Sequence, residues 1–350
     1  MALDYSTKYQ SKIAERFRLA SVTDSAAGHN YDFTGARAVR IYSMNTVPLV
    51  DYGRGSTRFG TVGDVTYTTQ EMLCTQDPSF TGHLEALDNS DIAIDAAAGK
   101  FLRMELDEVL IPTMDKYRLK KWIMGGATLQ QMANAPTKNT IVGDIMSLKG
   151  KMGDNLVPDS NLTLFITYAY YPLLKQADAI VGINAGSYNE KAIEKGVVGT
   201  FDGMKVKVVP SSYFPSANVY FLIKSQGCTE DPVKLHKYDV FQKAVGFDGP
   251  VVQGLAYYDS FVLGAKNVGI GVAGSSAAVL NAPSISKSSH TVSISSVSGV
   301  TFYYTVDGSD PRYSTTRQQY SSGVTLTAGQ VFRAVGEKDG CVGIEGQETY

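Results

Sequence analysis

The sequence has few cysteines, no long apolar run and no excess of charge of either sign. Its 350 residues include 3 Cys, and 32 Lys or Arg against 34 Asp or Glu give a formal net charge of −2. The odd number and wide spacing of Cys74, Cys228 and Cys341 argue against a disulfide framework and suit a reducing compartment. No segment approaches the ~18 apolar residues of a membrane span, and the first residues lack a secretory signal's apolar core. We therefore expect the protein to be made and to act in a cytoplasm.

Motifs that would indicate chemistry are also scarce. No basic block or stripe stands out, so dedicated nucleic-acid binding has little support, and the sequence contains no H-E-x-x-H or G-x-S-x-G motif. The four histidines have no Cys or carboxylate partner at metal-ligand spacing. They are His29, His83, His236 and His290. The sequence thus predicts no catalytic residue, no cofactor-binding residue and no metal ligand.

Two short patterns imitate known sites. Residues 269–274 fit G-x-G-x-x-G, but a Ser- and Ala-rich stretch follows instead of a helix, so we interpret them as a turn into a linker. Two groups of carboxylates lack the spacing of a calcium loop and are interpreted as helix-capping and hairpin-turn residues. These groups are Asp88, Asp91 and Asp95, and Asp307 with Asp310.

The N-terminal part predicts an amphipathic helix followed by a long hairpin. One face of the helix is marked at i, i+4 spacing by Tyr5, Tyr9, Ile13 and Phe17. Strands are expected at 38–44 and 65–69, joined by a Gly-rich polar tip. A two-stranded ribbon with arms of roughly 40 Å, at ~3.3 Å per residue, is marginal alone in water. The hairpin therefore needs a partner surface.

The middle of the chain predicts a mixture of helix and sheet. Residues 91–132 are mostly helical by apolar spacing, although Pro112 should kink or interrupt the helix. Another amphipathic helix is expected at 140–152, and strands at 162–170, 201–209 and 218–223 complete an α/β unit.

The segment 231–271 predicts a helical or irregular entry, a turn at 248–250 and then one long strand buried on much of both faces. From Gly274 the composition becomes rich in Ser, Ala and Gly, which indicates a domain boundary. After it the sequence predicts strands only, at 291–294, 300–306, 324–326 and 331–335, which suit a reduced immunoglobulin-like sandwich.

Several segments resemble the major capsid proteins of tailed bacteriophages. The strongest is Q-G-L-A-Y-Y-D-S-F-V at 253–262, followed by Lys266 and a Gly-Ile pair, which is similar to that family's closing strand "G-x-x-Y-Y-D-x-F-V". The run T-Q-D-P-S-F at 75–80 resembles the family's "T-Q-D-x-S-F", and I-P-T-M-D-K-Y-R at 111–118 resembles its spine-helix motif, with Thr113 where the family often has Glu. Within the strongest segment, Asp259 is interpreted as a structural hydrogen-bonding residue.

This resemblance implies an α+β Hong Kong-97-type capsid fold with peripheral and axial domains, followed by a small all-β immunoglobulin-like sandwich. The implied parts are a shell domain at 1–274, with an N-terminal arm (1–37), an extended loop (38–80), a spine helix (91–132), a mainly axial domain (140–245) and a closing strand (250–272), then a linker (275–290) and the immunoglobulin-like domain (291–350). The run T-F-Y-Y-T-V-D-G-S-D-P at 301–311 resembles the C-terminal domain of chitobiases and β-hexosaminidases, and the likeness covers most of 282–343. That domain is an accessory in enzymes and brings no active site.

The implied function is a structural major capsid protein, not an enzyme, that uses no cofactor. Its hexamers and pentamers would form the icosahedral head of the virion around double-stranded DNA, assembled in the bacterial cytoplasm, with the C-terminal domain facing outward. Further implied partners are scaffold, portal and head-completion proteins and non-specifically contacted DNA, without a membrane. Residues 44–73 contain no Lys, so we predict no covalent crosslink through the loop.

Two other function classes remain open. A phage or cell-surface binding module would hold a glycan with its immunoglobulin-like domain and would form a small soluble oligomer. A glycosidase would need two carboxylates in an enzyme core, and nothing in residues 1–280 resembles such a core. The 21 Tyr could stack on sugars, but tyrosines are more often core and interface residues.

Overall fold

The structure is a computed structural model that describes most of the chain. The described residues are 20–31, 38–44, 49–54, 65, 67–84, 98–176, 197–241, 246, 248–280, 282–312, 314, 316–338, 341–343 and 345–349. The predicted N-terminal helix, most of the hairpin tip and the carboxylates Asp88, Asp91 and Asp95 lie outside them.

The described elements up to residue 275 alternate between helix and strand. In chain order they are β1 (Ala38–Met44), β2 (Tyr67–Leu73), β3 (Ser79–His83), α1 (Ala98–Glu105), a π-helical turn (Leu106–Leu110), α2 (Ile111–Gly125), β4 (Thr128–Met132), α3 (Ile141–Asp154), β5 (Leu162–Thr167), α4 (Tyr171–Gln176), β6 (Val197–Phe201), β7 (Met204–Val209), β8 (Val219–Ser225), β9 (Thr229–Glu230), β10 (Val233–Phe241), β11 (Val251–Tyr258), β12 (Phe261–Val262) and β13 (Ile270–Ser275). Short 3-10 helices lie at Asp24–Ala26, Ser211–Tyr213 and Gly264–Gly269. The helix predicted at 140–152 is confirmed. The three predicted ranges of the α/β unit contain strands with other ends: the first strand stops at Thr167, a turn between β6 and β7 divides the second range, and the third strand is β8.

A mixed six-stranded sheet, in the order β4-β13-β8-β5-β7-β6, forms the centre of the described residues 20–275, which we call the shell part. Helix α3 packs on one face and helix α2 on the other, so β5 is buried along its whole length. The side chains that the two helices bury there are Ile141, Ile145, Leu148 and Met152, and Leu119, Trp122 and Ile123. Because β4 and β13 come from outside residues 140–245, the predicted axial block supplies only part of the sheet.

Together α1, the π-helical turn and α2 form one helix over residues 98–125, which we call the spine helix. The amide of Ile111 donates to the carbonyl of Leu106, five residues back, directly before Pro112. Proline lacks an amide hydrogen and crowds the preceding turn, so a wider turn accommodates it, and the expected interruption is confirmed as a change of hydrogen-bond spacing. The predicted end at residue 132 is wrong. The helix ends at Gly125 because Gly126 is extended, and β4 then pairs in parallel with β13.

The hairpin prediction is confirmed, since β1 and β2 pair antiparallel from Ala38 with Leu73 to Met44 with Tyr67. The helical or irregular entry predicted before the turn at 248–250 is wrong for Val233–Phe241, because β10 pairs with β11, which also pairs with β3. A bulge near the start of β10 interrupts the alternation of side chains between the two faces, so the sequence pattern does not indicate a strand there. The single closing strand over 250–272 is also wrong. The chain turns after β11, and a 3-10 helix separates β12 from β13, which belongs to the six-stranded sheet.

The C-terminal part is a small all-β immunoglobulin-like domain of two sheets, β14-β15-β18 and β17-β16-β19-β20, with β21 on β19. Its strands are β14 (Ile285–Ser288), β15 (Thr291–Ile294), β16 (Thr301–Thr305), β17 (Gln318–Gln319), β18 (Val324–Thr325), β19 (Val331–Lys338), β20 (Cys341–Val342) and β21 (Gly346–Thr349). The linker predicted at 275–290 is wrong. Strand β14 lies inside that range and pairs with β15, and Ala278 and Val279 are buried. None of the helices that the structure describes has the length and apolarity to cross a bilayer.

Candidate assembly surfaces

Two lysines of the six-stranded sheet are buried beneath residues 20–31, which we call the anchor segment. The ammonium of Lys207 on β7 donates to the carbonyl of Val22 at 2.5 Å, and that of Lys224 on β8 donates to the carbonyl of Ala26. Lys224 Nζ also lies 4.6 Å from the centre of the Trp122 ring. A buried ammonium is destabilising unless it is hydrogen-bonded, so both lysines hold the anchor segment against the sheet.

The spine helix holds the same segment with a carboxylate. Asp115, which is 1% exposed, accepts from the amide of Val22 at 2.9 Å and from the hydroxyls of Ser21 at 2.8 Å and Thr23 at 2.5 Å. Hydrogen bonds to a charged acceptor are stronger than neutral ones. The start of the anchor segment is thus fixed between helix and sheet.

A second carboxylate, Asp231, joins four parts of the fold and is fully buried. It accepts from the indole of Trp122 at 3.0 Å, the hydroxyls of Ser260 at 2.5 Å and Thr229 at 2.8 Å, and the amide of Gly28 at 3.1 Å. The amide of Asp231 in turn donates to the carbonyl of Gly28 at 2.9 Å. The spine helix, the anchor segment and the segments after β8 and β11 therefore meet at one side chain.

The neighbouring Glu230 completes the attachment of the anchor segment. Its carboxylate accepts from the amides of Asn30 at 2.8 Å and Tyr31 at 3.2 Å. Because charged groups are bonded to the backbone along the segment, the anchor segment is held against its own subunit from Ser21 to Tyr31.

Lys207 makes the attachment sensitive to pH. Burial lowers the pKa of Lys207 to about 8, while Asp115 and Asp24 act in the opposite direction. The unfolded state keeps its proton up to about 10.4. Between these pH values the unfolded state binds more protons, so the free energy of unfolding should rise with pH. We expect a rise on the order of 1–2 kcal/mol from pH 8 to 9.5 in urea unfolding of the wild type, and a smaller rise in Lys207→Met. Equal slopes in the two proteins would contradict the assignment.

The base of the extended hairpin is packed against the strands that close the shell part. Met72 and Cys74 form a buried cluster with Leu263. The side-chain Nε2 of Gln70 donates to the carbonyl of Val262 at 2.8 Å, and its Oε1 accepts from the backbone amide of Gly264 at 2.8 Å. The hairpin therefore starts from a rigid base.

Asp259 connects the segment that follows the hairpin with the spine helix. It is 2% exposed and accepts from the amide of Thr75 at 2.8 Å, the hydroxyl of Thr75 at 3.0 Å, the hydroxyl of Tyr117 at 2.8 Å and the amide of Ser260 at 2.8 Å. Burial and the nearby Asp259 carboxylate raise the pKa of Tyr117, which keeps its hydroxyl a donor. The interpretation of Asp259 as a structural hydrogen-bonding residue is confirmed.

The distal part of the hairpin, in contrast, exposes large apolar side chains. Its described exposed side chains, with their exposed fractions, are Tyr42 (65%), Met44 (66%), Leu49 (101%), Val50 (59%), Tyr52 (56%) and Val65 (45%). Burying one such side chain contributes roughly 1.5–3 kcal/mol. Exposed large apolar side chains that recur along one segment are suited to contact with another chain, and we call these six residues the hairpin patch.

The glycine pattern at 269–274 is not the turn into a linker that we predicted. Residues 270–275 form β13, which is buried between β4 and β8. A Cβ on Gly271 would lie 2.8 Å from the sulfur of Met152, and one on Gly274 would lie 2.6 Å from the carbonyl of Asn218. These glycines allow close packing inside the core.

The second carboxylate pair is divided between different partners. Asp307 accepts from the amide of Ser309 at 3.0 Å in the turn where Gly308 has φ +73°, which confirms the turn interpretation. Asp310 instead pairs with Arg312 at 2.8 Å. Among the described side chains, no three of the His, Cys, Asp and Glu type come together as a metal site would require.

The predicted histidines are not brought together either. His83 at the end of β3 contacts the carbonyl of Asp248 at 3.1 Å, His29 belongs to the anchor segment, and His290 lies in the C-terminal domain beside Ser289. The side chain of His236 lies outside the described residues. These positions give no shared chemistry.

Comparison with known proteins gives two separate matches. Residues 282–343 match the family "Chitobiase/beta-hexosaminidase C-terminal domain", which confirms that resemblance. No curated protein sequence matches the chain.

The fold itself matches solved structures of bacteriophage proteins. The structure titled "Mycobacterium phage Che8" has 13% identity and a TM-score of 0.63, covering 77% of this chain and 96% of the other. "Capsid structure of the Cyanophage P-SCSP1u" has 12% identity and a TM-score of 0.63, covering 78% and 93%. "Asymmetric unit of bacteriophage PhiM1 mature capsid" has 10% identity and a TM-score of 0.60, covering 77% and 92%. The chain thus has the fold of bacteriophage capsid subunits, to which a C-terminal immunoglobulin-like domain is added.

Proposed function

We propose that the chain is the major capsid protein of a tailed bacteriophage. Copies of it would assemble as hexamers and pentamers into the icosahedral head that encloses double-stranded DNA, and its place would be the virion. The observation that carries this proposal is the fold match, which spans 92–96% of three bacteriophage chains, two of them from structures titled as capsids. At such low identity the match concerns the fold, so the role in assembly needs support from the surfaces.

The surfaces support self-association rather than catalysis. The hairpin patch carries apolar side chains that the described part of the subunit leaves exposed, on a hairpin whose base is rigid. In a closed lattice each surface must be complementary to another copy of the same chain, and exposed apolar side chains on the hairpin meet that demand. The buried carboxylates Asp115, Asp231 and Asp259 accept hydrogen bonds that fasten segments together.

Expression of the chain followed by size-exclusion chromatography and negative-stain electron microscopy tests the proposal. Megadalton shells or capsomers are expected, and a monodisperse monomer over a wide range of protein and salt concentrations would contradict it. Denaturing gels of the shells should show single subunits, because we predict no crosslink through the loop. Co-expression with candidate scaffold, portal and head-completion proteins tests those partners separately. Detection of DNA inside the shells tests the proposed non-specific contact of DNA with the inner face.

The alternative of a glycan-binding module has weaker support from the C-terminal domain. The ring of Tyr304 stacks on Phe332 with centres 5.3 Å apart, and Tyr320 meets Tyr304 edge-on at 6.2 Å. The Arg317 guanidinium covers Tyr303 at 3.6 Å. Sugar binding by stacking needs open ring faces, and these three tyrosines are engaged within the domain. Glycan binding by residues 285–350 alone would favour the alternative.

A further inference from the structure

Arg312, in the loop after β16, reaches out of the C-terminal domain to the end of the spine helix. Its side chain is 5% exposed, and Nη1 donates to the carbonyl oxygen of Gly126 at 3.2 Å. Gly126 directly follows the last helical residue, Gly125. The last carbonyls of a helix have no partner within it and carry the negative end of its dipole. A buried guanidinium at this position is therefore a cap for the helix, supplied by the other domain.

Acidic residues of the C-terminal domain hold this guanidinium in place. Both oxygens of Asp310 accept from Arg312, with Nε–Oδ1 at 3.0 Å and Nη2–Oδ2 at 2.8 Å, and Glu345 lies 3.4 Å from Nη2. Glu345 also binds Arg333, whose Nη2 lies 2.8 Å from Oε2. Such a two-pronged pair fixes the plane of the guanidinium as well as its position. The side chain is thus preorganised to meet the shell part.

The shell part contributes a polar partner of its own. The side-chain Nδ2 of Asn267, in the 3-10 helix Gly264–Gly269, donates to Oδ2 of Asp310 at 3.4 Å. The carbonyl of the same Asn267 accepts from the amide of Ala127 at 3.1 Å, just after the spine helix. Asn267 therefore connects the carboxylate that orients Arg312 with the chain that Arg312 caps.

The segment between the two domains is packed rather than loose. Ala278 and Val279 belong to the buried cluster that contains Trp122 of the spine helix, and the amide of Gln131 donates to the carbonyl of Val279 at 3.0 Å. Leu280 is 9% exposed, and a Cβ added at Gly336 on β19 would lie 3.5 Å from its Cδ1. The covalent connection and the Arg312 contact hold the domain at two separate points.

We propose that the C-terminal domain is docked in one fixed orientation on the C-terminal end of its own spine helix, with Arg312 as the capping residue. The D-G-S-D-P turn, which the sequence relates to an accessory domain, serves here to present Asp310 and Arg312 to the shell part. Any surface of the domain is then held at a constant position on the subunit. This inference concerns a single subunit and does not depend on assembly.

Hydrogen–deuterium exchange of the full chain tests the docking. We compare wild type with Arg312→Ala, with Asn267→Ala and with the control Arg317→Ala, which breaks a 2.6 Å pair with Glu337 inside the sandwich. Exchange in residues 122–128 should rise about tenfold in Arg312→Ala, rise less in Asn267→Ala and stay unchanged in Arg317→Ala. Protection of β16 and β19 shows whether the sandwich remains folded.

The two variants on opposite sides of the interface keep the test decisive. If Arg312→Ala unfolds the sandwich, Asn267→Ala carries the test, because that residue belongs to the shell part. Unchanged exchange at 122–128 in Asn267→Ala, or an equal effect of Arg312→Ala and Arg317→Ala, would overturn the proposal. A raised exchange at 122–128 with β16 and β19 still protected would support it.

Discussion

A chain that lacks residues 51–64 should fold normally and form no closed shells. The deletion removes the tip of the extended hairpin but leaves all pairs between β1 and β2, and the remaining residues are enough to connect the two strands. The two clusters on the faces of the six-stranded sheet contain no residue of the hairpin, and the hairpin residues in the cluster around Met72 lie outside the deletion. Circular dichroism should therefore show a folded protein, while negative-stain microscopy should show capsomers or single subunits.

Point substitutions show whether a defect in assembly comes from the lost apolar contact or from the shortened hairpin. Leu49→Asp with Val50→Asp places charges in the hairpin patch, where burial against a neighbour would be costly. Val297→Asp is the matched control, because Val297 is an apolar residue of the C-terminal domain with 55% exposure. Closed shells from the deletion or from the double variant would refute the role of the hairpin in assembly, whereas the control should assemble.

The sequence was sufficient for the elements whose pattern is local. Helix α3 follows from four apolar residues at helical spacing, and the hairpin follows from alternating strands around a Gly-rich tip. Element ends that depend on tertiary pairing were predicted wrongly. Residues 128–132 are compatible with helix by apolar spacing, but β13, more than a hundred residues later, pairs with them as a strand. Parallel pairing of this kind leaves no turn signal nearby.

The buried charges could not be predicted for a related reason. In β7, alternation places Lys205 and Lys207 on the face opposite Met204 and Val206, which is typical of a solvent-exposed face. The carbonyl that binds Lys207 belongs to Val22, 185 positions earlier. Only the folded chain shows that the anchor segment covers this face. Asp259, in contrast, lies in a strongly patterned segment, and its role could be inferred from the sequence.

Replacement of Asp231 by Ala should be the most destabilising single substitution proposed for this chain. The change removes the carboxylate that accepts four hydrogen bonds. The indole of Trp122 and the amide of Gly28 then lose this acceptor. It also removes a negative charge near the buried ammonium of Lys224. Breaking a buried charged contact on one side costs about 3–5 kcal/mol, which is a large part of the ~5–15 kcal/mol stability of an ordinary domain. Urea unfolding followed by tryptophan fluorescence measures the loss, because Trp122 reports on this site.

Two further variants show whether the loss comes from the buried carboxylate. Asp159→Ala removes a carboxylate that is 75% exposed and 4.0 Å from Lys149, so it should change the free energy of unfolding by less than about 1 kcal/mol. Asp231→Asn keeps the shape and one acceptor oxygen, so its loss should lie between those of the two alanine variants. A loss below about 1 kcal/mol for Asp231→Ala would mean that water replaces the carboxylate. In that case the anchor segment would be held by Asp115, Lys207 and Glu230 without Asp231.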